Sequence, residues 1–339
     1  MKKILLTLFA VIFVLCGCTS KPQGSGSSYK PSGGTVTVPN NDAYKFSPFY
    51  KLDVEDENTI TNLQIITKDK YDLSRIDSIY QFDTKAEVNE KGLDGLNIST
   101  SGQFSAKQFE QLAKQIKELA GKKKVYVLDL RKESHYFLND IAVSWYELHN
   151  LGSEKTDIDD IIAEEEERFS GLKGETITAY VEANDDKSDK SSEIKVESIM
   201  SEKELVEKAG FTYVRLPLSD HNWPDEGQIE EFIDFVNSID KDNAWIHIHC
   251  DDGKDRTGTI AAIYDLIKNP ELTMDEWYYR SASLGYNYLG YVPKDKSTFD
   301  YKMYLEKADM SPKLYEYIED NVKSNFKKAW EEWLEETYK

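Results

Sequence analysis

Cysteine is nearly absent: among 339 residues only Cys16, Cys18 and Cys250 carry a thiol. Positive charge is short as well, with 42 Lys and Arg against 62 Asp and Glu, for a net charge of -20. Nucleic acid is thereby excluded as a partner, because a phosphate backbone needs a basic footprint that this composition does not supply. Beyond the first fifteen residues there is no long apolar run and there is no internal repeat, so neither a second membrane-spanning segment nor a solenoid is encoded. Large side chains are plentiful, with 12% aromatic residues, 21 Tyr and six Trp. A chain this apolar is not a disordered acidic tail, and its length buries a core without metal or disulfide staples.

Lys2 and Lys3 precede the apolar stretch from Ile4 to Leu15. It is too short for a spanning helix of about 20 residues and fits a signal-peptide core. Leu15-Cys16-Gly17-Cys18 resembles the bacterial lipobox, which makes residues 1–17 a signal peptide and Cys18 the lipidated residue. Residues 18–41, rich in Gly, Ser and Pro, then read as a flexible tether. The expected location is extracytoplasmic, with the body held at the cell membrane by lipid. Only Cys250 then keeps a free thiol, and no internal disulfide is possible. A lone thiol in an exported protein calls for a reason, and catalysis is the default candidate.

The rest, residues 42–339, reads as one phosphate-chemistry domain with accessory segments at about 45–100 and 153–204. Strand-like pieces occur at 59–66 and 95–99, a helix at 103–119 and a strand at 125–130. The stretch from 153 to 204 is dominated by charge and reads as solvated faces and loops. Strands at 213–218 and 245–249 then alternate with helices at 224–239 and 257–268, and a last long helix is expected from Pro312 to about Glu336. This alternation predicts an α/β fold with a central parallel-type sheet flanked by helices, and a smaller, partly β accessory domain beside it.

The informative segment is Trp245-Ile-His-Ile-His249-Cys250-Asp251-Asp252-Gly253-Lys254-Asp255-Arg256-Thr257. A short turn between a strand end and a helix start can point successive backbone N–H groups inward as an anion nest, with the helix dipole behind it. Gly253 allows the positive φ such a turn needs. Arg256 offers a planar fork for two phosphoryl oxygens, and Cys250 lies at the floor. A helix N-terminus and a cation can bring a cysteine from a pKa of ~8.5 down to ~3.5–7.5. A value of about 5 corresponds to roughly 5 kcal/mol in favour of the thiolate. The expected reaction is attack of that thiolate on phosphorus, giving a cysteinyl-phosphate that water hydrolyses. Thr257 would donate to the departing sulfur, and His249 would order the loop rather than act as a base. Neither a metal nor a cofactor is required.

HCDDGKDRT matches the HCxxGxxRT signature of the cysteine-dependent phosphatases. The segments GLNISTSGQFS (ending at Ser105), DLRKESHYFLND (129–140) followed by VSWY, LPLSDHNWP (216–224) and LGYVPKDKSTFDYKMYLEK narrow the resemblance to the bacterial cysteine phytase-like group, the inositol polyphosphate phosphatases. The resemblance implies the cysteine-phosphatase fold and a phosphorylated small molecule as partner, inositol phosphate (phytate) first. A phosphatase of phosphotyrosine or dual specificity, or of phosphoinositides, is the alternative, and a non-catalytic phosphate-binding lipoprotein is a further one. Two carboxylates could protonate the leaving group: Asp225, which completes Trp223-Pro224-Asp225 but follows Pro224 at a helix start, and Asp220, just beyond the end of a strand. The resemblance assigns the acid to Asp220. It also puts His221, Asp129, Lys294 and Lys296 around the substrate, together with Asp251, Asp252, Gly253, Lys254 and Asp255 of the loop, with Lys302 and one of Lys187 or Lys190 possible. Arg131, Glu133 and His135 are either a buried ion-pair scaffold or direct contacts. Two features depart from the group: the carboxylates of Asp251 and Asp252 inside the loop, and Asp83 where an Arg is expected.

Overall fold

Two sheets organise the protein, and the catalytic-type loop lies where they meet. The computed structural model describes residues 46–67 and 87–338. The signal segment, Cys18, the tether and Asp83 lie outside the described residues. Among those described, no helix is long and apolar enough to cross a membrane.

The central sheet runs in the order β10 (Thr212–Leu218), β4 (Lys124–Arg131), β11 (Ala244–His249), β3 (Ile98–Ser101) and β2 (Gln64–Ile65). The first four are parallel and β2 closes one edge antiparallel. The residue period of two sorts its side chains cleanly. On β4, Val125 and Val127 face α1 (Ala106–Ala120), while Leu128 and Leu130 face the layer of α4 (Glu226–Ser238) and α5 (Arg256–Lys268). On β11, Trp245 faces α1, and Ile246 and Ile248 face α5. Each such fully buried aliphatic contributes about 1.5–3 kcal/mol. The α/β expectation holds, and the strands and helices read between 95 and 268 end within three residues of those observed, whereas the strand read at 59–66 shrinks to β2.

The second sheet has the order β8 (Asp186–Lys195), β7 (Thr176–Ala183), β1 (Phe49–Leu52), β6 (Ile141–Tyr146), β5 (His135–Leu138) and β9 (Ile199–Met200). Its tight hairpins turn at Asn139-Asp140 and Asn184-Asp185, all four at positive φ, the geometry that matches strand twist. It buries Leu138, Val143, Phe169 and Ile194 under α2 (Ile158–Ser170), which Asp157 caps.

Three expectations need correction. The segment 45–100 is not one accessory piece: β1 joins the second sheet while β2 and β3 join the central one. The charge-rich 153–204 stretch is largely regular structure, and Glu165 within it is buried against Arg215 at 2.9 Å. The carboxyl-terminal helix is two, α7 (Tyr301–Asn321) with Pro312 inside it and α8 (Trp330–Thr337). Asn325 and Phe326 at positive φ break the chain between them, so that Trp330 and Trp333 fold back on Tyr317.

Candidate active site

The loop 250–255 leaves β11 and ends at the first turn of α5, so its amides gather at a helix N-terminus. Gly253 takes φ +79°, and its N–H donates to Cys250 Sγ at 3.2 Å. A Cβ there would lie within 2.6 Å of Ser101 O, so only glycine fits. The loop is held from outside by Gln103 N–H on Asp251 O (2.8 Å) and Asn62 Nδ2 on Asp252 O (2.7 Å).

Arg256 is buried, and its fork is clamped by Glu133: Nη1 donates to Oε2 at 2.6 Å and Nη2 to Oε1 at 3.0 Å. Nη1 also donates to Leu218 O, and Nε lies 3.2 Å from Asp220 Oδ1. Asp220, just past β10, thus sits at the loop with its carboxylate on the arginine edge that a phosphoryl oxygen would take. Asp225 is elsewhere occupied: it caps α4, accepting from Gln228 N–H at 2.8 Å. Of the two carboxylates only Asp220 is brought to the loop.

Cys250 is 2% exposed. Burial pushes its thiol above the ordinary range, and the Asp220 carboxylate pushes the same way, while Arg256 and Thr257 pull it down. The expected pKa near 5 is therefore not met in this arrangement. The main reason is burial, which outweighs the pull of Arg256, and the Asp220 carboxylate adds to it.

Behind the loop lies a buried ion-pair network. Asp129 accepts from Tyr213 OH at 2.6 Å and pairs with His135 at 3.2 Å and Arg215 at 3.4 Å. Against the cost of burial, His135 and Arg215 hold it well below the usual carboxylate range. His135 itself, also against burial, is lifted to about 10 by Asp129. Glu202 accepts from Gln103 and pairs with His249 at 2.6 Å, and despite burial His249 keeps it near about 2. Arg131 bonds Glu133 (2.7 Å) and Asp53 (2.9 Å). Two triads bring ligand-type atoms within 4.8 Å of one another, Asp129-His135-Glu202 and Asp220-His221-Asp255. Their carboxylates already pair with Arg215, His249, Arg256 and Lys307.

Thr257 lies against the Cys250 sulfur, and Lys254 is exposed on the loop rim. His221 follows Asp220 at φ +61°, its N–H on Asp220 Oδ1. Asp255 is engaged by Lys307 and Asp251 by Lys51, so both loop carboxylates are neutralised from outside; only Asp252 is exposed. One call is corrected: Asp129, at 0% exposure, is buried behind the loop and is scaffold rather than a substrate contact. His249 points to the α1 face, packed on Phe104 and paired with Glu202, an arrangement that suits ordering the loop rather than acting as a base. Arg131, Glu133 and His135 resolve as scaffold, Arg256 being held by one of them. Lys294 and Lys296 are exposed on the segment between α6 (Met274–Ser283) and α7, as is Lys302 on α7. Lys187 lies over the Phe49 and Tyr180 rings, and Lys190 pairs with Glu55. Lys51, Asn150 and Lys307 escaped sequence reading. Lys307 closes the last motif quoted above, while Lys51 and Asn150 reach the loop only through tertiary folding.

A parallel sheet, a Cys-to-Arg loop at a helix start and a clamped arginine define the architecture of the cysteine-dependent phosphatases. Residues 128–268 match the PTPlike_phytase family, described as inositol hexakisphosphate. Over these residues the chain is similar to the protein-tyrosine-phosphatase-like phytases. The tandemly repeated protein tyrosine phosphatase like phytase from Mitsuokella multacida superposes with a TM-score of 0.76 at 31% identity, over 85% of this chain and 49% of that one. The PTP-like myo-inositol phosphatase of the same organism, solved with myo-inositol-(1,3,4,5)-tetrakisphosphate, gives 0.76 at 30%, with the same coverage. A PTP-like phytase from Bdellovibrio bacteriovorus gives 0.59 at 26%, over 83% of this chain and 98% of that one. Effector protein hopD2 of Pseudomonas syringae pv. tomato is 31% identical over 58% of this chain and 42% of its own length. The chain thus spans about half the length of the Mitsuokella proteins and less than half of the effector.

Proposed function

We propose that the protein is a phosphomonoester hydrolase of inositol polyphosphates working through a cysteinyl-phosphate. The observation that carries this is the convergence on one loop of the Cys250 sulfur, the clamped Arg256 fork and the Asp220 carboxylate. An arriving phosphoryl group displaces Asp220 from Arg256 Nε. The thiol proton passes to Asp220, which leaves a thiolate and a carboxylic acid with no change in proton count. The sulfur then attacks phosphorus, the P–O ester bond breaks, and Asp220 protonates the departing alkoxide. In the second step the Asp220 carboxylate takes a proton from water, the water oxygen bonds to phosphorus, and the S–P bond breaks to release orthophosphate. As written, the steps draw on side chains alone.

The match of residues 128–268 to the phytase family model and the inositol tetrakisphosphate complex of the similar Mitsuokella protein support inositol phosphates as the substrate class. Lys254, Lys294 and Lys296 are exposed cations available to further phosphates, although the net charge of -20 opposes long-range approach. Phosphate release from inositol hexakisphosphate should exceed that from a phosphotyrosine peptide in kcat/KM, and the reverse order would reassign the enzyme to phosphoproteins. We also propose that Cys18 is lipidated after removal of residues 1–17 and that the enzyme works outside the cytoplasm at the membrane, on the strength of the lipobox-like LCGC. Cys18→Ser should then release the enzyme from the membrane fraction, and unchanged partitioning would refute the anchor.

A further inference from the structure

Asn150 is 4% exposed and sits in the left-handed region at φ +53°, next to His149 at φ +61°. The turn Leu148–Asn150 is pinned from both sides. Gly152 lies so close to the backbone of 132–133 that a Cβ would come within 2.7 Å of Glu133 N. His149 stacks on Phe299 with ring centroids 3.4 Å apart and bonds Asp185 at 2.9 Å. The Asn150 Nδ2 is thereby delivered to three carboxylates: Asp220 Oδ2 at 3.1 Å, Glu133 Oε1 at 3.3 Å and Asp251 Oδ2 at 3.3 Å. Its Oδ1 has no hydrogen-bond partner among the described residues. A flipped amide would set an oxygen against three carboxylate oxygens, so the donor orientation is fixed. Arg131, Arg256 and Lys51 pair with these carboxylates and with Asp53, and the neutral amide adds direction without adding charge.

We propose that Asn150 is a positioning residue for the general acid: it holds Asp220 Oδ2, so that Oδ1 alone faces Arg256 and the incoming phosphoryl group. This rests on the phosphatase reading above. The charged and titratable groups facing Asp220 are Arg256, Cys250, Asp251, Asp252, His221 and Asp255.

The test compares inositol hexakisphosphate, whose alkoxide must be protonated, with nitrophenyl phosphate, whose leaving group needs no proton. Asn150→Ala should lower kcat on the first by about ten- to a hundredfold, the range for one hydrogen bond to a charged group. Its loss on the second should be several times smaller, and orthophosphate inhibition should stay at the wild-type value. In an Asp220→Asn background the same change should add nothing, because the two act as a unit. The isosteric Asn150→Asp brings in a fourth carboxylate, which raises the pKa of Asp220. The alkaline limb of kcat, where the acid loses its proton, should move up by about one pH unit. Equal losses on both substrates together with weakened orthophosphate inhibition, or additive losses with Asp220→Asn, would overturn the proposal and leave Asn150 a structural residue of the loop. Wild-type protein inert toward both substrates would overturn the phosphatase reading as well, a result distinct from equal losses.

Discussion

Replacing Asp220 by Asn keeps the shape of the side chain and removes one negative charge, and the structure gives that change two opposite consequences. The carboxylate helps burial to raise the Cys250 thiol, so its removal should let the sulfur ionise more easily. For two charges at a contact-range separation of about 5 Å, Coulomb's law with an effective dielectric of ~20 sets an upper bound of roughly 3 kcal/mol, or about two pKa units. The Asp220 side chain is 16% exposed, and solvent screening brings the expected shift to about one unit downward. Turnover of an alkyl phosphate should nevertheless fall by about 10²–10⁴-fold, the usual contribution of a general acid. Ultraviolet absorbance of the thiolate against pH, with the Cys250→Ser spectrum subtracted as background, reads the first effect, and steady-state kinetics reads the second. A thiol that titrates at the same or higher pH in the variant, with alkyl phosphate turnover intact, would refute the reasoning. The acid would then have to be sought elsewhere, with Asp225→Asn the first variant to measure.

Gly253→Ala forces a side chain into the left-handed region at about 1–2 kcal/mol and against the backbone of Ser101 and Gly102. Orthophosphate affinity should fall more than about tenfold because the whole anion nest shifts, and unchanged affinity by calorimetry would contradict the loop geometry. Stability should depend on pH from both sides. Asp129 and Glu202 are held low in the fold, so their contribution is present above the unfolded carboxylate range of about 4 and is lost as the pH falls toward 2. His135 is held high, so its contribution is complete below about 6.5 and declines as the pH rises toward about 10. Urea midpoints should therefore fall on both sides of mildly acid pH. In His135→Gln the alkaline decline should flatten, and an identical decline in that variant would remove His135 from the account.

The sequence was most readable where function and local structure share one short segment. Trp245 to Lys268 is a strand, a glycine-bearing turn and a helix in immediate succession, so its chemistry and its fold could be read together. Asp225 was recognisable as a cap because capping is local, whereas Asp220 was assigned as the acid by the family resemblance. The second sheet was not readable in the same way. β1 pairs with β6 and β7 across more than ninety residues of chain, and the polar alternation of β8 looks like a solvated run until its partner is known. Lys51, Asn150 and Lys307 share this difficulty, since each reaches the loop by a fold-dependent approach from a segment with no motif of its own or at the far end of one. Pro312 misled because proline favours a helix start, whereas here the helix passes through it. The thiol expectation failed because burial was left out: desolvation of the sulfur, with the Asp220 carboxylate nearby, outweighs the cation beside it.

The most direct measurement is to quench the enzyme with acid during turnover of inositol hexakisphosphate and weigh the peptide that contains Cys250. The account predicts a phosphoryl adduct on that cysteine, formed and lost at rates compatible with turnover and missing from Cys250→Ser, which should still bind orthophosphate. Sustained hydrolysis by the serine variant, or turnover in the wild type with the phosphoryl group never found on sulfur, would contradict it.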